Sequence, residues 1–143
     1  MFSKACEYAI KSAVYIAQQS LQNKRVNVKE VAQSVDAPVA FTAKILQELC
    51  RARILQSVRG KQGGFHFDEK TQKSTRVYDL ILLIDGDGVF VKCGLGLHQC
   101  SGNNPCPVHH DFSIVRENLL NMVRKYSFYD LALKTENGLA WLK

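Results

Sequence analysis

The stretch that decides the fold is Ile54-Leu55-Gln56-Ser57-Val58-Arg59-Gly60-Lys61-Gln62-Gly63-Gly64-Phe65-His66-Phe67. A strand-forming run from Ile54 to Val58 meets a glycine-rich loop and then a second run, Phe65 to Phe67, which predicts a β-hairpin. Its tip carries Arg59 and Lys61, and Gly60, Gly63 and Gly64 permit close backbone approach and positive φ. Upstream, Asn27-Val28-Lys29-Glu30 has the form of a capping box and opens a short helix with Val28, Val31, Ala32 and Val35 inward. Asp36-Ala37-Pro38 breaks the chain, because proline disfavours helical geometry in the residue before it yet can itself begin a helix. A third helix then runs from Val39 to Cys50 and is expected to bury Phe41, Ile45, Leu46 and Leu49.

Two short helices joined by a tight turn and followed by a hairpin make a winged helix-turn-helix. Further outward, Cys6, Ala9, Ile10, Ala13, Val14 and Ala17 recur at helical spacing between residues 3 and 19. Another helix is expected from Arg76 to Ile84, then a glycine-rich cysteine loop from Asp85 to Pro107. Phe112, Val115, Leu119, Met122 and Tyr126 repeat as three, four, three, four, a short heptad-like seam read here as a contact between subunits. Tyr129 to Leu133 is read as continuing that helix, and the last ten residues as a loose tail. The expected class is mainly α with a small β-wing. Residues 1–75 form the winged helix-turn-helix and residues 76–143 carry the cysteine loop and dimerisation helices.

At 143 residues the chain suits one domain, and it is long enough to bury about two-thirds of its unfolded surface without a disulfide or metal staple. Hydrophobic residues make up 46% and charged residues 22%, a globular balance that excludes a disordered chain. The longest apolar run, Leu80 to Ile84, falls far short of the ~20 residues needed to span a bilayer, and the N-terminus lacks the apolar core of a signal peptide. A cytoplasmic protein without a membrane partner is expected.

Lys and Arg total 19 against 13 acids, and the excess is clustered. Four basic residues and no acidic one lie between Arg51 and Phe67, and Glu48 is the one acid from Ala37 to Phe67. This points to double-stranded DNA, with the third helix in the major groove and the wing reaching the backbone or minor groove. Ala40, Phe41, Thr42 and Lys44 would face the groove, and Arg59, Gly60 and Lys61 would form the wing contact. Ala40, Phe41 and Ala43 lack hydrogen-bonding side chains, so phosphate and apolar contacts are expected to carry affinity. A protein-binding winged helix is the rival; it would lack steep salt dependence on duplex DNA.

Five cysteines, an odd number, argue against a disulfide framework in a reducing compartment. Cys6 and Cys50 sit singly in apolar, helix-like stretches and read as small buried hydrophobes. Cys93, Cys100 and Cys106 share one Gly-, Asn- and Pro-rich segment, with His98, His109 and His110 beside them. Thiolates select zinc or iron–sulfur clusters over hard cations. Zinc knuckles usually pair cysteines two to four residues apart, whereas six and five residues separate these. Cys106-Pro107-Val108-His109 is nevertheless a Cys-x2-His pair, so zinc held by three cysteines and His109 stays open beside an iron–sulfur cluster.

Taken together, these residues resemble the bacterial Rrf-type winged-helix regulators, which include IscR, NsrR and CymR. Ser3-Lys4 with Glu7-Tyr8-Ala9 matches the N-terminal motif, and Phe41 through Leu49 the recognition helix. Ser57-Val58-Arg59-Gly60 with Gly63-Gly64-Phe65 matches the wing, and Cys93, Cys100 and Cys106 the three cysteines of the cluster-binding members. The resemblance implies a homodimer crossed by a long C-terminal helix, a palindromic operator, and an iron–sulfur cluster that controls DNA affinity in response to redox state, nitric oxide or cluster supply. A 2Fe-2S cluster is preferred over 4Fe-4S, with His109 as fourth ligand and Glu7 of the opposite subunit as the alternative. His98 and His110 are read as bystanders.

Three departures from the family pattern stand out. The first cysteine gap is six residues where five is usual, Arg53 stands where relatives commonly place glycine, and Ala43 replaces a residue that is acidic in some members. Two other classes make different demands on these residues. An enzyme would need a cysteine nucleophile with His109 or His110 as base, but nothing supplies an ordered third group. A metal-free thiol switch would be blind to chelators and reversible by reductant alone.

Overall fold

The computed structural model describes residues 1–142; Lys143, the end of the expected tail, lies outside the described residues. Ser3 opens the first helix, α1 (Lys4–Leu21), its hydroxyl accepting from the Cys6 N–H and so satisfying a donor that a helix start leaves free. The box expected at Asn27 is formed in α2 (Val28–Val35). The Asn27 side chain accepts from the Glu30 N–H, and the Glu30 carboxylate accepts from the Asn27 N–H. Asp36 turns the chain in the left-handed region, and α3 (Val39–Arg51) follows.

The end of α3 explains where the wing begins. The Ile54 N–H donates to the Leu49 carbonyl and the Arg53 N–H to the Cys50 carbonyl, both at 3.0 Å, with Arg53 at φ +60°. That is a Schellman motif, and its apolar partners Leu49 and Ile54 lie in the core. Ile54 and Leu55 therefore belong to the helix stop, and the first strand, β1, is only Gln56–Val58. It pairs antiparallel with β2 (Gly64–His66) in the register Gln56↔His66, Ser57↔Phe65, Val58↔Gly64. Val26 adds a one-residue bridge to Phe65. Two glycines are required here. A Cβ on Gly63 would collide with the Val58 carbonyl, and Gly64, at φ +138°, lies against the Val26 backbone.

Downstream, α4 (Glu69–Ser74), α5 (Val77–Ile84), α6 (Gly88–Val91), α7 (His109–Lys125) and α8 (Phe128–Glu136) complete the order. Neither α4 nor α6 was expected. The reading of residues 129–133 as a continuation of the preceding helix is corrected. Tyr126 is extended, and Ser127 caps a new helix through a reciprocal box with Asp130. The tail is corrected in part, since α8 reaches Glu136 and Leu142 packs on the core.

The main core gathers Ile16, Leu46, Leu49, Leu55 and Phe67 with Leu80, Phe128 and Ala132, so it draws on both sides of the expected boundary at residue 75. Phe67 and Phe128 are fully buried with ring centroids 5.6 Å apart; each such burial contributes about 1.5–3 kcal/mol. A second cluster joins Cys6, Val77, Ile81, Phe90 and Val123. The stripe along α7 divides. Leu119 and Tyr126 pack on this second cluster, while Val115 and Met122 stay exposed, as does Ile114 outside the stripe. No helix among the described residues is long and apolar enough to cross a membrane.

Candidate metal centre and nucleic-acid interface

Between α6 and α7 the chain folds the three loop cysteines together. Their sulfurs all lie within 4.8 Å of one another, with Cys93 and Cys106 at 3.7 Å. The loop is fixed at both ends. Phe90 packs on Tyr78, the Arg116 guanidinium donates to the Lys92 carbonyl at 3.0 Å, and Gly94 lies so close to the Phe112 ring that any side chain there would clash. At the far end the His109 N–H donates to the Cys106 carbonyl and begins α7, which places the His109 ring at the site.

The sulfurs differ electrically. Backbone N–H groups of Leu97 and Leu95 aim at the Cys93 thiol and hold it down to about 7, in reach of the thiolate at neutral pH. Loss of hydration pushes Cys106 up. The Cys100 sulfur lies 3.1 Å from His109 Nδ1 and accepts from the Cys106 N–H. Cys6, by contrast, is pushed to about 12, chiefly by burial and then by the Asp85 charge, and burial also raises Cys50. Those two thiols are packing groups, as the sequence suggests.

The donor set fits a metal. Two thiolates bonded at about 2.3 Å to one tetrahedral ion stand about 3.8 Å apart, which matches Cys93 and Cys106 and suits zinc or one iron of a cluster. A cavity of about 510 Å³, lined by Leu97, His98, Cys100, Asn104, Pro105 and Cys106, opens beside two of the sulfurs. His109 meets the group at Cys100, and its ring is edge-on to His110 at 5.4 Å. Glu7 lies on α1, paired with Lys4 at 2.9 Å, and is not gathered with the thiols of its own chain.

The first turn of α3 presents Val39, Ala40 and Phe41 to solvent and carries no acid, and Lys44 is exposed one turn on. Two expectations are corrected here. Phe41 is not core; it is 37% exposed and rests edge-on against Tyr8 at 5.8 Å. Thr42 is fully buried, and its hydroxyl donates to the Pro38 carbonyl at 2.9 Å, so its side chain cannot meet DNA. Arg59, Gly60 and Lys61 are exposed at the wing tip. Sequence reasoning missed Gln47 and Arg51, exposed on the same stripe as Ala40 and Lys44 at spacings of four, three and four. It also missed Arg25, whose guanidinium donates to the Gln62 carbonyl in the wing loop. The helical period would have found the first two, but nothing local marks Arg25.

A family model described as "Rrf2: Iron-dependent Transcriptional regulator" matches residues 2–134. A protein of Aquifex aeolicus described as an HTH-type transcriptional regulator is 30% identical over 133 residues, 92% of this chain and 90% of that one. The HTH-type transcriptional regulator NsrR of Oceanobacillus iheyensis is 23% identical over 138 residues, 96% of this chain and 92% of its own. Among solved structures, CymR, the global cysteine regulator of B. subtilis, superposes with a TM-score of 0.75 at 17% identity, covering 92% of this chain and 95% of that one. IscR of T. potens superposes at 0.73, also at 17% identity, covering 99% and 92%.

Proposed function

The chain belongs to the Rrf2 family of DNA-binding transcriptional regulators, and from that premise we propose that it is a homodimer whose grip on a palindromic operator is set by an iron–sulfur centre on Cys93, Cys100 and Cys106. The observation that carries the reading is the gathering of three thiols, spread over fourteen positions of sequence, within 4.8 Å. Thiols packed this closely on a half-exposed loop contribute little to a core, whereas as thiolates they are soft ligands for one inorganic group. Replacing a thiolate by an imidazole raises a cluster's potential, and His109 is the ligand we assign to the fourth position. Glu7 of a second subunit is the rival for it. Such a group supplies one-electron redox chemistry and reactivity toward oxidants and nitric oxide.

The protein's own residues do the rest. Leu95 and Leu97 N–H groups stabilise the Cys93 thiolate, and Phe112 and Arg116 tie the loop to α7. Ala40, Phe41 and Lys44 face the major groove, Arg59, Gly60 and Lys61 follow the backbone, and the exposed Ile114, Val115 and Met122 of α7 form the subunit seam. Two heads must lie about 34 Å apart to engage both half-sites, so a change in how the subunits meet weakens binding steeply.

The 3.7 Å thiol separation equally favours a second reading, a zinc centre of three cysteines and His109. Protein prepared without oxygen is expected to be brown, to contain iron and acid-labile sulfide, and to change its operator affinity when exposed to air or nitric oxide. Cys93→Ser, Cys100→Ser or Cys106→Ser abolishes the colour, and His109→Ala weakens it. A colourless protein with stoichiometric zinc overturns the redox part and leaves DNA binding intact. Affinity that responds to reductant alone and ignores chelators overturns both metal readings.

A further inference from the structure

We propose that part of the sequence preference at the operator rests on thymine C5-methyl groups met by Phe41, with Tyr8 as the residue that positions the Phe41 ring. This deepens the reading of α3 as the groove-entering helix and rests on it. The exposed first turn of α3 is apolar at Val39, Ala40 and Phe41; Thr42 is turned inward, and Lys44 brings the only charge. Val39, Ala40 and Phe41 cannot pair with base-edge donors and acceptors, whereas Lys44 and, farther along the same stripe, Gln47 and Arg51 can. Of the groups that base edges present in the major groove, the thymine methyl is the one apolar partner.

Phe41 is also held ready. Its ring stands at 76° to Tyr8 with centroids 5.8 Å apart, and the Lys11 ammonium lies 5.2 Å from the centre of the Tyr8 ring. An edge-to-face pair fixes the ring in an outward pose, so little side-chain freedom is lost on docking. A solitary exposed phenylalanine is ordinary; one braced by an aromatic neighbour in the acid-free first turn of a reading helix is a contact surface.

The test begins with duplexes enriched from a random pool by the full-length protein. Each thymine of an enriched duplex is then replaced singly by uracil, which removes the methyl and leaves the hydrogen-bonding edge unchanged. One or two positions in each half-site are expected to lose about fourfold in affinity, the equivalent of one buried carbon. Phe41→Ala should bind more weakly overall and show no uracil penalty at those positions. Tyr8→Leu should shrink the penalty with an unchanged salt slope, whereas Tyr8→Phe, which keeps the ring edge, preserves it. Uracil tolerated at every position, or a penalty that persists undiminished in Phe41→Ala, overturns the proposal. The uracil scan on the unmutated protein decides the matter even if a variant folds poorly. Failure to enrich any duplex would instead refute the reading of α3 itself.

Discussion

Replacing Arg53 by glycine separates two opposing forces at one position. Arg53 occupies the left-handed residue of the Schellman motif that ends α3, at φ +60°. An L-residue there costs about 1–2 kcal/mol relative to a right-handed conformation. Glycine removes that cost but returns about 0.5–1 kcal/mol of chain freedom to the unfolded state, for a net gain of about 0.5–1 kcal/mol. Against this, a cation just past the C-terminus of α3 contributes about 0.3–1 kcal/mol at low ionic strength. In dilute buffer the two effects nearly cancel. In molar salt, where screening acts within about 3 Å, the charge effect fades and Arg53→Gly should be the more stable protein by about 0.5–1 kcal/mol, or about 2–4 °C in Tm. Arg53→Ala, which keeps the strain and loses the cation, should fall below the parent in dilute buffer and approach it in salt. Thermal unfolding of the three proteins across a salt series reads this out. If glycine does not outrank alanine in molar salt, the strain assigned to Arg53 is wrong.

Three other outcomes are expected. Arg59→Ala and Lys61→Ala should each weaken binding across all duplexes and lower the slope of log affinity against log salt by about one, measured by titration at several salt concentrations. The Asp68 and Asp130 carboxylates, accepting from Thr71 and Ser127 respectively, are held below their ordinary value of 3.8. A carboxylate depressed in the native state stabilises fully above the unfolded value and loses that contribution as pH falls through the native one. Urea midpoints should therefore drop below about pH 4, and Asp68→Asn with Asp130→Asn should flatten that limb. Phe128→Ala should cost about 3–5 kcal/mol in chemical unfolding, because its ring is fully buried against Phe67 and ties α8 into the main core. A loss below about 1 kcal/mol would mean that α8 is peripheral.

The wing and the two helices before it were legible because their signals are local. Gly63 and Gly64 mark backbone contacts that admit no side chain, and Asn27 with Glu30 is a complete cap in four residues. The thiol site was legible for the opposite reason: three cysteines on one polar loop have no packing explanation. The inward face of α3 was misread because Phe41 and Ile45 share a spacing of four. The buried stripe is instead Thr42, Ile45, Leu46 and Leu49, and a threonine can join it by returning its hydroxyl to the Pro38 carbonyl. Helix α4, Glu-Lys-Thr-Gln-Lys-Ser, shows no apolar period at all. It is held by the Asp68 cap and by the buried Gln72 amide, which donates to the carbonyls of Ala17 and Phe67, the first a contact 55 residues away that no window reveals. The break before α8 had a signal that was passed over, the Ser127-x-x-Asp130 box.

The packing also says where regulation can act. Cys6 at the start of α1 belongs to the second apolar cluster with Phe90 and Val123, while Ala9, Ala13, Val14, Ile16 and Ala17 belong to the main core, and Ile10, Ile84 and Leu131 touch both. Asp85, just before the thiol loop, accepts from the Ser3 N–H and hydroxyl at the cap of the same helix, and Tyr8 of that helix braces Phe41. One helix thus joins the loop's foundations to the reading head, and interiors packed to crystal-like density shift as units rather than bend. A rearranged loop has no soft joint through which to move the head within its own subunit. Its free edge is the apolar row Ile114, Val115 and Met122 on α7, to which the loop is bound through Phe112 and Arg116. On the proposed reading of a homodimer with a thiolate-held centre, loss or oxidation of that centre would therefore alter how two α7 helices meet. The heads then move as rigid bodies, and a small rotation at the seam grows with distance into a mismatch with half-sites set about 34 Å apart.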